Sequence, residues 1–360
     1  DTPIKGAYVT TVEIQQLETE ADTEFEVSGG KAMFISRTVP SAWVDALGKD
    51  ELRSGETKEL RQPVAGYAFF FQLVSTDTVA GDDSENVPVF IGDRLEWYPD
   101  SESEVPGVPG AQVLLAGEGV DIGRFDEVRR LNLKPFRAED KESFYRMVDA
   151  VGRMEYADID QQPKSDFLQL VRNPREHFGK LISITGQVRR CIEVRVTDDD
   201  VLQRIGVQRY YELDMFVPIE AKISIDTETG EPLIYENRFP VTVVVAELPE
   251  GETPESFSRK PVSLTGFFYR FWSYKNEFTA EAGTEQGQIC PLIAGLTPEL
   301  LPQETSLFDN ILRYGILVVL AGGLWMGWYF RNADRLKNIK SASPGSREEL
   351  PEKLDLTGIE

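Results

Sequence analysis

The sequence has very few of the side chains that most catalytic and metal centres use. Its 360 residues contain one histidine and two cysteines. A catalytic triad, a histidine-ligated zinc site or a histidine proton shuttle would have to depend on His177 alone. Glycine-rich phosphate loops, Walker-type lysines and G-x-S-x-G motifs are also missing from the sequence. We therefore assign no catalytic, cofactor-binding or metal-binding residues, and we expect His177 to be a surface or capping residue.

Basic residues are scarce relative to acidic ones, 38 against 61, which gives a net charge of −23. A surface of this charge disfavours nucleic acids and anionic lipid headgroups as partners, and it favours cations or basic proteins. Acidic runs such as residues 198–200 (DDD) are rich in the oxygen ligands that calcium prefers. None of them has a regular ligand spacing, so we expect solvated loops.

Charge is missing altogether from one segment, residues 314–330 (YGILVVLAGGLWMGWYF). With Ile311 and Leu312, this segment approaches the length of about 20 residues that a helix needs to cross a bilayer. The sequence therefore predicts one transmembrane helix over residues 311–330, in preference to a helix buried in a protein core. The segment contains a G-x-x-x-G pair, Gly323 and Gly327. This pair is a candidate contact between two such helices in a homodimer, although the motif is also common by chance.

The charges on either side of this segment predict its orientation. Arg331, Arg335, Lys337 and Lys340 follow it, and few bases precede it. By the positive-inside rule, the polar tail after the segment is cytoplasmic and the N-terminal bulk is extracytoplasmic, in the periplasm. Export of that bulk needs a signal, so we expect a leader to have been removed or to lie outside this sequence.

Two parts of the sequence are similar to each other, which predicts an internal repeat. Three pairs of segments align in the same order, and a matching residue–proline pair follows the last of them. The aligned pairs are residues 33–40 with 242–249, residues 62–71 with 260–269, residues 87–92 with 290–295, and residues 98–99 with 301–302.

The second copy of the repeat predicts a five-stranded β-module of the OB-fold type. We expect its first strand to bend near Gly186, and a hairpin insertion near Gly230. The first copy has fewer residues before its third strand. Its first strands therefore lie upstream of Asp1, or the module is reduced. The five strands are expected near residues 180–196, 210–219, 239–248, 262–274 and 289–296.

These features predict a mainly β fold with a helical linker, of the α+β class. The expected parts are a first OB-like module that is N-terminally incomplete, a helical linker, a second OB-like module, the transmembrane helix and a disordered cytoplasmic tail. Their bounds are residues 1–110, 111–176, 177–303, 311–330 and 331–360.

Three segments carry a resemblance to known proteins. They are the expected helix at residues 137–151 (RAEDKESFYRMVDAV), the strand that opens with residues 179–186 (GKLISITG), and the strand at residues 262–274 (VSLTGFFYRFWSY). The layout resembles a group of uncharacterised, membrane-anchored proteins of planctomycete-type bacteria with OB-fold-like modules. The resemblance implies this architecture and brings no activity with it.

The strand expected at residues 262–274 is rich in aromatic side chains. Strict alternation along this strand defines two faces. We expect one face, with Phe267, Tyr269 and Phe271, to lie in the module core. The other face is a candidate interaction surface, unless the first module or a helix covers it. Its members are Phe268, Arg270, Trp272 and Tyr274.

The two cysteines, Cys191 and Cys290, are expected in the first and fifth strands of the second module. These strand regions are neighbours in a closed OB barrel, so a disulfide between them is geometrically allowed. An extracytoplasmic location also favours oxidation. Two free buried thiols are the alternative.

A well-formed scaffold without a catalytic cluster favours a non-enzymatic protein. Our leading hypothesis is a binding or assembly module that contacts other membrane or envelope proteins. The second hypothesis is an envelope sensor or carrier of a small ligand, such as a cation or a glycan. A hydrolase that uses two carboxylates is the third, but the sequence offers no means of selecting the two residues.

Overall fold

The computed structural model describes residues 7–14, 30–48, 60–76, 85–100, 105, 108–225, 233–274, 288–302 and 315–331. Contacts between Cα atoms divide the chain into two units, Asp1–Pro302 and Gln303–Glu360. The described strands all belong to the larger unit, which is mainly β with helices between the strands. This agrees with the α+β class that the sequence predicts.

The first module is built on a four-stranded sheet. Its elements are β1 (Tyr8–Ile14), β2 (Gly30–Ser36), α1 (Ser41–Leu47), β3 (Val64–Ala65), β4 (Phe69–Thr76), β5 (Glu85–Ile91) and β6 (Glu96–Trp97). The sheet order is β1-β2-β5-β4, and β3 pairs with β6 outside it. The small core of this module includes Trp43 and Trp97, whose rings meet edge to face at 5.9 Å.

The helical linker consists of five short to medium helices. They are α2 (Gly110–Gly117), α3 (Phe125–Arg130), α4 (Lys141–Arg153), α5 (Tyr156–Ile159) and α6 (Phe167–Arg172). Helix α4 has its apolar residues at helical spacing, and the side chains of Phe144, Met147, Val148 and Val151 are all buried. This amphipathic pattern explains why α4 packs against the strands of the second module.

The second module is built on a six-stranded sheet. Its elements are β7 (Leu181–Arg195), α7 (Asp199–Arg204), β8 (Arg209–Pro218), β9 (Ile223–Ile225), β10 (Leu233–Tyr235), β11 (Arg238–Val245), α8 (Pro254–Phe257), β12 (Pro261–Tyr274), β13 (Gln288–Gly295) and β14 (Glu299–Leu300). The order is β13-β11-β8-β7-β12-β14, and β13 also pairs with β12. Five strands thus form a continuous cycle of pairings, while β9 and β10 form the separate hairpin expected from the sequence.

The two modules share the same strand pairing across the aligned segments of the repeat. In the first module, β2 and β5 run parallel with Met33 opposite Val89. In the second, β11 and β13 run parallel with the aligned residues Thr242 and Leu292 opposite each other. The antiparallel pairs β1–β2 and β8–β11 also correspond, so β1 occupies the position of β8.

A β-bulge recurs at the same place in both modules. The register of β4 against β5 shifts at Phe71, and that of β12 against β13 shifts at the aligned residue Tyr269. A bulge adds one residue to one strand and changes the face to which the following side chains point. The bulge therefore decides which side chains of each aromatic strand lie together.

One strand of the second module has no counterpart among the described residues of the first. In the second module, β7 lies between β8 and β12 and pairs with both. In the first module, the equivalent strands β1 and β4 stand at the two ends of the sheet order. Each of them thus has one edge without a strand partner in the described part of the chain.

In the smaller unit the structure describes one helix, α9, over residues 315–331. Gly323 and Gly327 both lie in it, and a Cβ atom added at either would meet no described atom outside the helix backbone within 4 Å. No helix among the described residues is long and apolar enough to cross a membrane. Residues 311–314 of the predicted span, and the predicted tail after Arg331, lie outside the described residues.

Candidate interaction surface

The interaction face predicted on β12 is not one exposed surface. The bulge at Tyr269 breaks the alternation, so Phe268 shares a face with Phe271, and their ring centroids lie 5.7 Å apart. Phe268 and Arg270 are fully buried. The remaining two predicted residues are half-buried and stack on each other, with ring centroids 5.0 Å apart: Trp272 and Tyr274. The helical linker covers the outer face of this strand, which was the alternative left open by the sequence.

The bulge brings two consecutive side chains to the same buried acid. The Tyr269 hydroxyl lies 2.8 Å from Ser143 Oγ and donates to Asp140 Oδ1 at 3.2 Å. Arg270, the next residue, contacts the same carboxylate. Burial raises the pKa of Tyr269 well above its usual value, so this hydroxyl stays protonated. Asp140 is thereby fixed at the start of α4 by two neighbouring residues of β12.

Arg270 connects the helical linker to the second module through its whole guanidinium group. Its Nε donates to Asp140 Oδ1 at 2.8 Å, and its Nη2 donates to Asp140 Oδ2 at 2.9 Å. The remaining donors reach the carbonyls of Leu131 at 2.9 Å, Lys134 at 2.8 Å and Pro135 at 3.3 Å. This bidentate geometry is the strong form of an ion pair. Arg270 is therefore a structural residue rather than part of a binding face.

A second buried acid attaches the first module to the linker. Asp121 Oδ1 accepts hydrogen bonds from the backbone N–H groups of Trp97 and Gly123, each at 2.9 Å. Its other oxygen accepts from the Arg94 guanidinium. Burial raises the pKa of Asp121 to about 6, against the opposing effect of Arg94. These contacts hold β6 and the loop before it in place beside α3.

The two cysteines lie on opposite faces of the sheet. Cys191 stands opposite Leu213 in the β7–β8 pair. Cys290 Sγ lies 3.3 Å from Thr242 Oγ1, which lies 3.4 Å from Asp214 Oδ1. Leu213 and Asp214 are consecutive in β8, so their side chains point to opposite faces. Both cysteines are free thiols. The disulfide hypothesis was wrong because it considered strand order without the face of each residue.

The other polar residues that the sequence singled out have local partners. His177 is buried, and its Nδ1 lies 2.8 Å from the carbonyl oxygen of Asn173. Asp198 caps the start of α7, and the Lys141 ammonium lies 2.7 Å from its carboxylate. Among the described residues, no group of three or more histidines, cysteines and acids could hold a metal ion.

An exposed apolar surface lies on the first module, on β4 and the residues just before it. We call it the β4 surface. Its five large apolar side chains are Tyr67, Phe69, Phe70, Phe71 and Leu73, which are 88, 84, 59, 58 and 60% exposed. Val9, on β1 at the other open edge, is 55% exposed. Monomeric proteins rarely expose apolar patches of this kind without a function.

The second module shows how unusual this exposure is. The residues of β12 that align with Phe69, Phe70 and Phe71 are at most 1% exposed: Phe267, Phe268 and Tyr269. The sequence analysis aligned these segments but assigned the interaction face to the second copy. The small number of residues before the third strand of the first copy was the signal that could have directed attention to β4.

Comparison of the chain with protein-family models and with curated proteins gives no match. The function therefore has to be inferred from the geometry of these residues.

We predict that replacement of Arg270 by methionine lowers the free energy of unfolding by about 3–5 kcal/mol, because Asp140 is left as a buried charge without its partner. The double variant Arg270→Met, Asp140→Leu should recover only part of this loss, since the buried charge is removed but the linker carbonyls still lack their donor. Urea unfolding of the full chain, followed by tryptophan fluorescence, measures both changes. Arg195→Met is the matched control, because Arg195 pairs with Glu193 at the surface. A stability of Arg270→Met equal to that of the control would contradict the assigned role.

We also predict that neither thiol reacts in the folded protein. Burial raises the pKa of Cys191 to about 11 and that of Cys290 to about 12. The reactive thiolate is therefore scarce at mildly alkaline pH. Ellman's reagent should detect no thiol in the native chain and both thiols after unfolding in urea without reductant. Failure to detect thiols in the unfolded chain would show a disulfide and contradict the structure.

Proposed function

We propose that this chain is a non-enzymatic, membrane-anchored module that binds other proteins of a membrane or envelope complex. One observation carries the proposal. The β4 surface exposes large apolar side chains at positions where the second copy of the repeat has them buried. Exposed aromatic clusters of this type are typical of protein interfaces, whose energetic centres are rich in aromatic residues.

The charge distribution supports a protein partner over other classes. The described part of β4 carries no charged side chain, and Glu13 is the only one in β1. The chain as a whole carries a net charge of −23, which opposes the binding of nucleic acid. An apolar surface within an acidic protein suits a partner that combines apolar and basic residues.

The proposed architecture is two OB-like modules joined by the helical linker. In the second module, the cycle β7-β8-β11-β13-β12 supports this reading, with the helix α8 between the third and fourth strands. The long first strand and the parallel pair β11–β13 also suit an OB fold. The first module would be the same fold without its first strand.

The proposed anchor is a transmembrane helix over residues 311–330. Its support is the uncharged sequence of residues 314–330, the helical conformation of residues 315–331, and the bases that follow. This arrangement would hold the two modules in the periplasm and the tail in the cytoplasm. Gly323 and Gly327 offer a contact through which two anchors could pair as a homodimer.

We predict that the double substitution Phe69→Ser, Phe71→Ser abolishes partner binding without loss of stability. The two side chains are already exposed, so their removal costs little folding energy, whereas aromatic residues at an interface contribute about 2 kcal/mol or more each. Gentle solubilisation of native membranes, capture through a tag and quantification of the co-purifying proteins measure the effect. A loss of affinity of about a thousandfold is expected for the two side chains together, which this measurement detects as loss of the partner.

Ile234→Ser is the matched control, because Ile234 is an exposed apolar residue on the β9–β10 hairpin of the second module. It should retain the partner at the level of the unmodified chain. Recovery of the tagged chain without any protein in near-equal amount would contradict the proposed function. Equal recovery of a partner by both variants would instead show that the partner binds elsewhere than on the β4 surface.

A further inference from the structure

We propose that the first module is completed by an extended strand of a partner protein, inserted between β1 and β4 and antiparallel to both. The inference rests on the proposed function and specifies how the partner binds. Its basis is the repeat itself. The second module contains a strand, β7, at a position where the described residues of the first module include no strand.

The pairing partners of the inserted strand follow from the shared register. The first half of β7 pairs with residues 261–267 of β12, which align with residues 63–69. Its second half pairs with β8, whose place in the first module is taken by β1. A single bent strand about as long as β7, which has 15 residues, would therefore run first along residues 63–69 and then along β1.

Backbone groups at the open edge are aimed at such a strand. In the second module, the Phe268 N–H donates to the Lys180 carbonyl at 3.0 Å, and the Gly179 N–H donates to the Phe268 carbonyl at 2.8 Å. Phe70 has the same position relative to β5 as Phe268 has relative to β13. Its N–H and C=O groups consequently point to the open edge, where an added strand gains hydrogen bonds as well as apolar contact.

The side chains define the chemistry of the inserted strand. On β7, the apolar residues Ile182, Ile184 and Val188 are buried, and the alternating residues Ser183, Thr185 and Gln187 are exposed. An equivalent strand would cover Phe70 and Leu73, which align with the buried Phe268 and Phe271. We therefore expect alternating apolar residues in the partner strand.

Charge decides between a different protein and a second copy of this chain. Each copy carries a net charge of −23 over its whole length, and this like charge opposes the association of two copies. A strand flanked by basic residues is attracted instead. β7 is itself basic, with Arg189, Arg190 and Arg195 against one acid, Glu193.

A peptide with the sequence of β7, LISITGQVRRCIEVR, is the probe that tests the inference. Labelled with a fluorophore, it is titrated with the full chain in detergent micelles under reducing conditions, and anisotropy reports binding. We expect saturable binding that is at least about tenfold tighter than that of a scrambled peptide. Equal binding of the two peptides would overturn the inference.

Methyl groups on the peptide backbone separate strand addition from side-chain docking. Lys180 is hydrogen-bonded to Phe268, and Val188 to Lys260, at the two ends of the pairing between β7 and β12. In an antiparallel pair every second residue has this orientation, so Ile182 and Ile184 also direct their N–H groups towards β12. N-methylation at these two residues should weaken binding about tenfold or more, because it removes donors to the open edge. N-methylation at Ser183 and Thr185, which alternate with them, is the matched control and should change binding little. Equal effects of the two modifications would contradict strand pairing.

Competition in the native complex distinguishes this inference from the proposed function. Excess peptide should displace the partner from the tagged chain, and the peptide methylated at Ile182 and Ile184 should not. A partner that is retained against the unmodified peptide would overturn the inference and leave the proposed function standing. The displaced protein is identified by native mass spectrometry. If it is a second copy of this chain, the inference is also overturned. The absence of any co-purifying protein would refute the proposed function itself.

Discussion

The buried ion pair between Arg270 and Asp140 is the interaction on which the arrangement of the larger unit depends. A charge in a low-dielectric interior is tolerated only when it is paired and all its hydrogen-bonding groups are satisfied. Arg270 meets this condition by directing its donors to one carboxylate and to carbonyls of the linker. The linker is therefore fixed along the outer face of β12, and Asp121 then fixes the first module to the same linker.

The two copies of the repeat show how the presence of β7 changes the role of an aromatic sequence. Both have the same parallel pair, the same antiparallel pairs and a bulge at the aligned positions Phe71 and Tyr269. In the second copy, β7 and the linker cover the aromatic strand, and its side chains become core. In the first copy, the described residues include no strand at the position of β7, and the aligned side chains are exposed. The same apolar pattern thus stabilises one module, while in the other it lies at a sheet edge that has no strand partner among the described residues. An edge of this kind accepts an added strand.

The sequence predicted much of this fold because the repeat and the strand patterns are local signals. The five strands of the second module, the hairpin insertion and the apolar face of α4 all follow from periodicity and turn residues. The four residues predicted to form one face of β12 do not do so, because a strict period of two was applied across Tyr269, where a bulge inserts an extra residue. The bulge depends on pairing with β13, which is remote in sequence. The cysteine pairing failed for a related reason, since strand order says nothing about which face a side chain occupies.

Residue-resolved amide hydrogen exchange of the full chain, purified without partners, tests most directly whether the first module is open. Phe70 and Phe268 are aligned residues whose N–H groups point to the same side of equivalent strands. The account predicts strong protection of the Phe268 amide, which donates to Lys180, and exchange of the Phe70 amide at close to the unprotected rate. Equal protection of the two amides would show that the edge of β4 is already paired within the chain, and would contradict the proposal that it receives a partner.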